Sequence, residues 1–184
     1  MARAKKDLID ITKTELGLAV RIVDYWRSLD RALLEDLEET RGANFPSAAS
    51  EIFACYAFDL KWNKGSAGDA YDSDGRIIEV KSASAAGYDV TSFSPKEVYD
   101  NLVFVRYHKY EDVVYIYDLH MNSADIGKMK VNSTETLEDQ QKAGRRPRFS
   151  IERDIIENKG LSHTYKLNLL TKELFDSSGA LIPK

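Results

Sequence analysis

Residues 68–84 read GDAYDSDGRIIEVKSAS, and this stretch decides the fold. Two extended segments, residues 69–72 and 76–82, flank the turn signal SDG at residues 73–75, a pattern typical of a β-hairpin. A three-residue loop favours glycine at its third position, because that residue adopts a left-handed conformation. We therefore predict a hairpin with a three-residue loop.

The length of this loop decides which side chains share a face of the hairpin. A three-residue loop at residues 73–75 places Asp69 directly opposite Glu79. A two-residue loop at residues 74–75 would instead place Asp69 opposite Val80, on the wrong face. Residues two apart on a strand point the same way, so Lys81 shares a face with Glu79. Opposite residues lie about 5 Å apart, close enough for two carboxylates to share one Mg²⁺ that relieves their repulsion. The predicted site is Asp69, Glu79 and Lys81, and a solvated sheet face is the alternative.

The rest of the chain supplies helices and further strands. Apolar periodicity and terminal signals predict helices over residues 14–40, ended near Gly42, then 47–60, a short one from Ser94, 135–143 and 150–158. Strands are predicted over residues 102–107, 113–119 and 164–170. This order indicates an α/β (α+β) fold with a mixed central β-sheet flanked by helices.

Length and composition favour one domain in a reducing compartment. The 184 residues suffice for a single core, divided into a helical N-terminal region (1–43), a central region with the predicted site (44–120) and C-terminal elements that include residues 142–148 (121–184). One cysteine, Cys55, excludes an internal disulfide, fits a reducing cytoplasm and is expected to be a small buried residue. No apolar stretch is long enough for a membrane span.

The net charge of −4 counts mildly against a nucleic-acid partner, but the charges are unevenly distributed. Residues 142–148, KAGRRPR, carry four positive side chains and no acid, whereas residues 35–39 are acidic. An acidic surface away from a basic groove would reconcile the two observations.

Two levels of resemblance add to this interpretation. Gly68-Asp69 followed by Glu79-Val80-Lys81 resembles the signature of the PD-(D/E)XK nuclease superfamily, with Gly68 where that family usually has proline. The blocks GDAYD, EVKSASA, TSFSPK, YIYDL and VNSTETLEDQQKAGRRPRFS, spanning roughly residues 44–160, resemble small bacterial type II restriction endonucleases that cut short palindromes of the GC-N-GC kind.

The resemblance implies a role for each matching residue. Asp69, Glu79 and the backbone carbonyl of Val80 would coordinate Mg²⁺. Lys81 would orient the attacking water and stabilise the phosphate, and hydrolysis would leave a 5′-phosphate and a 3′-hydroxyl. Glu51 lies on the preceding helix, where the superfamily often carries an accessory glutamate, and a surface helix glutamate is an equal alternative.

Basic residues are candidates for holding double-stranded DNA. Pro147 stiffens the arginine-rich segment, whose guanidinium groups could pair with guanine or with phosphate, and a solvated basic turn is the alternative. The predicted helix start at residue 94 could offer backbone N–H groups to a phosphate, although capping explains that sequence equally well. The candidate DNA-binding residues are Lys142, Arg145, Arg146, Arg148, Ser94 and Lys96.

Cleavage of a palindrome is most simply made by a homodimer, and the resemblance also implies a cognate methyltransferase that protects the host sites. The apolar N-terminal helix is a candidate dimer interface, and burial within the monomer is equally plausible. The competing functions are a repair nuclease or junction resolvase on the same fold, and a non-catalytic DNA-binding module.

Overall fold

A large mixed β-sheet organises the protein in a computed structural model that describes residues 7–65, 68–84, 90–108 and 111–184. In chain order the strands of this described part are β1 (Leu8–Asp10), β2 (Lys61–Asn63), β3 (Ala70–Tyr71), β4 (Ile77–Ala83), β5 (Val90–Ser92), β6 (Asn101–His108), β7 (Val113–Asp118), β8 (Arg148–Ser150), β9 (Tyr165–Asn168), β10 (Leu174–Asp176) and β11 (Leu181–Ile182). Nine of them pair in the order β1-β2-β3-β4-β6-β7-β9-β10-β11, and β5 and β8 form a separate ribbon. β4 and β6 are parallel and the other paired neighbours are antiparallel.

Helices cover both faces of this sheet. The helices are α1 (Lys13–Arg31), α2 (Ser47–Phe58), α3 (Ser123–Gly127) and α4 (Leu137–Lys142), with π-helical segments at Ala32–Asp36 and Glu152–Glu157. On one face α1 and α2 pack on a core that includes Phe53, Ile78, Val80 and Val105. On the other face a second core includes Phe93, Phe104 and Ile155. The predicted fold class, a mixed sheet flanked by helices, is confirmed.

Alternation along β4 separates its apolar and polar side chains. Ile78 and Val80 belong to the core beneath α1 and α2. Because successive side chains point to opposite faces, Glu79 and Lys81 face the side of the second core. One face of β4 therefore packs in the apolar core, and the opposite face carries the acid and the lysine, as the sequence pattern predicts.

Helix α1 uses one face for the core and leaves apolar residues on another. Its N-terminus has a capping box between Thr12 and Glu15. Leu16, Ala19, Val23 and Trp26 are buried, whereas Leu18, Tyr25 and Leu29 are 43%, 74% and 55% exposed. Burial within the monomer thus accounts for only part of the apolar character of this helix.

Two helix predictions are wrong in their extent, and a third predicted helix does not form. The first helix becomes π-helical at Ala32 and ends by Asp36, before the predicted residue 40, because Leu37 is 68% exposed and has no core to pack on. No helix starts at Ser94, since Glu97 directs its carboxylate to Lys81 instead of capping. Ser150 ends strand β8, so the helical segment after it begins later than predicted.

Other predictions are confirmed, and several short elements were not anticipated. Helix α2, strands β6, β7 and β9, and the hairpin of β3 and β4 occur where the sequence pattern places them, and Cys55 is buried as expected. The connection between the predicted strands at residues 102–107 and 113–119 lies partly outside the described residues, at 109–110. Short edge and ribbon strands were missed because their sequences are brief and carry little periodicity; these are β1, β2, β5, β8, β10 and β11.

Within the part of the chain that the structure describes, no helix is both long enough and apolar enough to cross a bilayer.

Candidate active site

The hairpin has the predicted register. Ala70 pairs with Ile78 and Tyr71 with Ile77, which places Asp69 directly opposite Glu79. The predicted three-residue loop is therefore confirmed.

Two features close this loop. Gly75 adopts φ +79, and its N–H donates to the carbonyl of Asp72 at 3.1 Å. Oδ1 of Asp72 accepts from the backbone N–H groups of Asp74 (3.0 Å) and Arg76 (2.9 Å). Local interactions thus set the register that aligns the two acidic residues.

Lys81 lies between two carboxylates over an aromatic ring. Its Nζ is 2.6 Å from Oε1 of Glu79 and 3.2 Å from Oε1 of Glu97. It also lies 5.4 Å from the ring centroid of Phe93. Burial alone would lower the pKa of Lys81, but Glu79 and Glu97 outweigh burial and raise it. The ammonium is therefore held in place and kept charged.

Of the two predicted metal-binding carboxylates, Glu79 is buried and Asp69 is half-buried, and both have a raised pKa. Burial raises the pKa of Glu79 to about 7, partly offset by Lys81. Burial likewise raises the pKa of Asp69 to about 6, although Oδ2 of Asp69 accepts a 2.8 Å hydrogen bond from the N–H of Val80. Ionisation of both side chains is therefore disfavoured in the protein alone, and a cation bound between them would favour it.

Glu51 lies in the same electrostatic environment. It projects from α2, and its Oε2 accepts a 2.8 Å hydrogen bond from Nε1 of Trp62. Burial raises its pKa, and repulsion from Glu79 adds to the effect. The side chain is thus half-buried beside the hairpin acids, unlike an ordinary surface helix glutamate.

Glu97 was missed by sequence reasoning, which placed it only in the short helix predicted from Ser94. One of its oxygens contacts Lys81, and the other, Oε2, is buried with no hydrogen-bond partner in the described part of the protein. Its position depends on how the segment between β5 and β6 folds back over β4, which leaves no signal in the sequence pattern.

The chemistry of these donors fits a hard divalent cation. Four carboxylates, from Glu51, Asp69, Glu79 and Glu97, are linked electrostatically with one ammonium, that of Lys81. A buried carboxylate oxygen without a donor is the group that a cation would satisfy. Among the described residues, no three acidic, histidine or cysteine side chains already converge as a ligand set. This agrees with Glu79 facing Lys81 and Asp69 facing the Val80 amide.

The predicted DNA-binding residues fall into two groups. Lys142 pairs with Glu138 at 2.8 Å and Arg145 pairs with Glu135, so acids of the same segment already engage both. Arg146 and Arg148 are exposed, and no carboxylate in the described ranges lies within ion-pair distance of either. The basic segment therefore offers two uncompensated guanidinium groups.

The basic segment is also more ordered than a plain turn. Strand β8 pairs with β5, and the carbonyl of the buried Pro147 accepts a 3.0 Å hydrogen bond from the N–H of Phe93. Near this ribbon the carbonyl of Ser94 accepts from Nε2 of Gln141 at 2.6 Å, and Lys96 is exposed. The helix predicted to start at Ser94, whose N-terminus was a candidate phosphate-binding group, does not form in the described residues, so that prediction is wrong.

A mixed sheet flanked by helices, with paired acids and a lysine on a central hairpin, is consistent with a restriction endonuclease-like fold. The model of the Bsp6I restriction endonuclease family matches residues 11–158. The type II restriction enzyme Bsp6I of Bacillus sp. (strain RFL6) is 40% identical over 172 residues, which cover 93% of this chain and 98% of that enzyme. The chain therefore belongs to the Bsp6I restriction endonuclease family. No solved structure matches it significantly.

Proposed function

We propose that this protein is a type II restriction endonuclease that cuts both strands of DNA at a short G/C-rich palindrome, with GCNGC as the specific candidate. The main support is that Asp69 lies opposite Glu79 beside the half-buried amine of Lys81, in a protein of a restriction endonuclease family. Family membership favours this function over repair, junction cleavage or non-catalytic binding.

Mg²⁺ is the proposed cofactor, held by Asp69, Glu79 and the backbone carbonyl of Val80. The support for this proposal is the raised pKa of both carboxylates, since a bound cation would offset the cost of ionising them at partly buried positions. When bound, Mg²⁺ neutralises charge on the phosphate and lowers the pKa of a bound water. Glu51 is proposed as an accessory acid, supported by its electrostatic interaction with Glu79.

Lys81 is proposed to stabilise the phosphate during hydrolysis. Its ammonium stays charged between Glu79 and Glu97, so it offers N–H donors to a phosphate oxygen. Water adds to phosphorus and the bond from phosphorus to the 3′ oxygen breaks. The leaving oxygen takes a proton, which gives a 3′-hydroxyl and a 5′-phosphate.

DNA contacts are proposed for the basic segment and its surroundings. Arg146 and Arg148 are available as the structure stands, whereas Lys142 and Arg145 would exchange their glutamate partners for phosphate. Lys96 is exposed beside the ribbon and is proposed as a phosphate contact, with Ser94 next to it.

A homodimer with one active site per strand is the proposed assembly, because two-fold symmetry matches a palindrome. The exposed apolar residues of α1, which are Leu18, Tyr25 and Leu29, support that helix as the interface. A cognate methyltransferase is the proposed partner activity in the cell.

Digestion of a defined plasmid with Mg²⁺, followed by sequencing of the ends, tests the proposed function. We expect discrete fragments with 5′-phosphates from the wild type, and no cleavage but retained DNA binding from Glu79→Ala and Lys81→Ala. A smear, or cleavage only at branched junctions, would instead indicate a repair nuclease or a resolvase. Normal cleavage by either variant would refute the assigned site.

A further inference from the structure

A cleft of about 560 Å³ lies at the C-terminal end of β4, beyond Lys81. One wall is the loop of residues 40–45 that follows the first helix. The other wall includes Val90 and Arg148 of the β5–β8 ribbon, and Ser82 and Ser84 lie between the walls. The strand that carries the candidate active site therefore leads directly into this cleft.

The loop of residues 40–45 is held in a defined shape by α1. Oδ1 of Asp30 accepts from the N–H of Ala43 at 2.9 Å, and Nε1 of Trp26 donates to the carbonyl of Ala43 at 3.1 Å. Both backbone polar groups of Ala43 are thus satisfied by side chains one helical turn apart. A Cβ at Gly42 would lie 2.0 Å from Oδ1 of Asp30, so the loop approaches the helix too closely for a side chain there.

This anchoring places two polar residues beside Ala43 on the cleft wall. Arg41 and Asn44 both line the cleft, and Nη2 of Arg41 donates to Oδ1 of Asn44 at 3.3 Å. Within the described ranges, no carboxylate lies within ion-pair distance of Arg41. Asp30, the acid that also lines the cleft, is 8% exposed and bonded to the loop backbone.

Arg41 and Arg148 both line this cleft, and they belong to segments that pack against the two different cores on opposite faces of the sheet. A strand advances about 3.3 Å per residue, so Ser84 lies roughly 10 Å along β4 from Lys81. A DNA strand with its scissile phosphate at Lys81 would bring a neighbouring stretch of backbone to this cleft. Guanidinium groups are well suited to bind phosphate oxygens.

We propose that Arg41, oriented by Asn44 and lining the cleft with Arg148, binds the DNA phosphate backbone next to the cut. The inference rests on the proposed function, because it requires DNA at the active site. Neither Arg41 nor Asn44 stands out in the sequence as part of a basic segment. Their role follows from the loop that Trp26 and Asp30 anchor.

The test compares Arg41→Ala with Arg31→Ala, a control that removes an exposed arginine of α1 which pairs with Glu35 outside the cleft. Both are made in a Glu79→Ala background, so that DNA is bound but not cut. Fluorescence anisotropy measures affinity for a GCNGC duplex and for an unrelated duplex across a salt series.

Arg41→Ala is expected to weaken binding to both duplexes roughly tenfold and to reduce the slope of log affinity against log salt by about one. Arg31→Ala should leave both quantities unchanged. Arg41→Lys should recover part of the loss, because it restores the charge without the planar fork.

Two results would overturn the proposal: unchanged affinity in Arg41→Ala, or a loss confined to the GCNGC duplex, which would mean base contact. If the parent itself binds neither duplex and the wild type cuts no DNA, the proposed function fails as well. If the Glu79→Ala protein binds DNA and Arg41→Ala, like the Arg31→Ala control, changes neither its affinity nor its salt dependence, only this inference fails.

Discussion

Replacing the buried acid Glu79 with glutamine should stabilise the metal-free protein while it abolishes cleavage. Burial raises the pKa of Glu79 to about 7, so its ionised form is disfavoured in the folded protein. Glutamine resembles the protonated acid, and its amide oxygen still accepts a hydrogen bond from Lys81, which lies 2.6 Å from Oε1 of the glutamate. The substitution therefore removes an unfavourable charge at little cost in packing.

The size of the effect follows from the pKa values. The pKa of Glu79 rises from 4.5 to about 7 in the folded state, and each pKa unit corresponds to about 1.4 kcal/mol. A folded-state pKa above the unfolded value gives stability that is present below pH 4.5 and is lost as pH rises through 7. The free energy of unfolding of Glu79→Gln should therefore be higher than that of the wild type by about 3 kcal/mol at pH 8, and by about 1 kcal/mol or less at pH 5.

Urea unfolding in EDTA at pH 5 and pH 8 measures both differences. Glu157→Gln, which changes an exposed glutamate of the second π-helical segment, serves as the control and should match the wild type at each pH. Under the proposed function, Mg²⁺ at pH 8 should stabilise the wild type more than the variant, and so reduce the difference between their free energies of unfolding. A Glu79→Gln protein that is less stable than the wild type at pH 8, or a difference that does not change with pH, would refute the reasoning.

Further substitutions test the site, the hairpin and the core. Glu97→Gln removes a charge beside Lys81 and should slow cleavage at least about tenfold with DNA affinity unchanged, whereas wild-type rates would exclude a positioning role. Gly75→Ala, at φ +79, should lower the free energy of unfolding by about 1–2 kcal/mol. Gly17→Ala, inside α1 with its nearest new contact at 3.6 Å, should raise the free energy of unfolding by about 0.5–1 kcal/mol. In urea titrations a gain for Gly75→Ala would contradict the first prediction, and a loss for Gly17→Ala would contradict the second. Phe53→Ala, at a fully buried site, should lower the unfolding free energy by about 3–5 kcal/mol, and a loss below 1 kcal/mol on the same scale would contradict its core role.

The hairpin and the main elements could be predicted from the sequence because local interactions determine them. Gly75 adopts the left-handed conformation at the third loop position, and that turn alone aligns Asp69 with Glu79. The long apolar strands β6 and β7 and helix α2 likewise follow from patterns within a few residues.

Only the tertiary structure decided which distant residues join the site and where the first helix ends. Glu97 reaches Lys81 because the chain crosses over β4 between two parallel strands, a contact between residues sixteen positions apart. The loop after α1 takes its shape from Asp30, whose carboxylate binds the backbone of Ala43 thirteen residues later. Such contacts depend on packing against a finished sheet, and a pattern read over one or two helical turns carries no information about them.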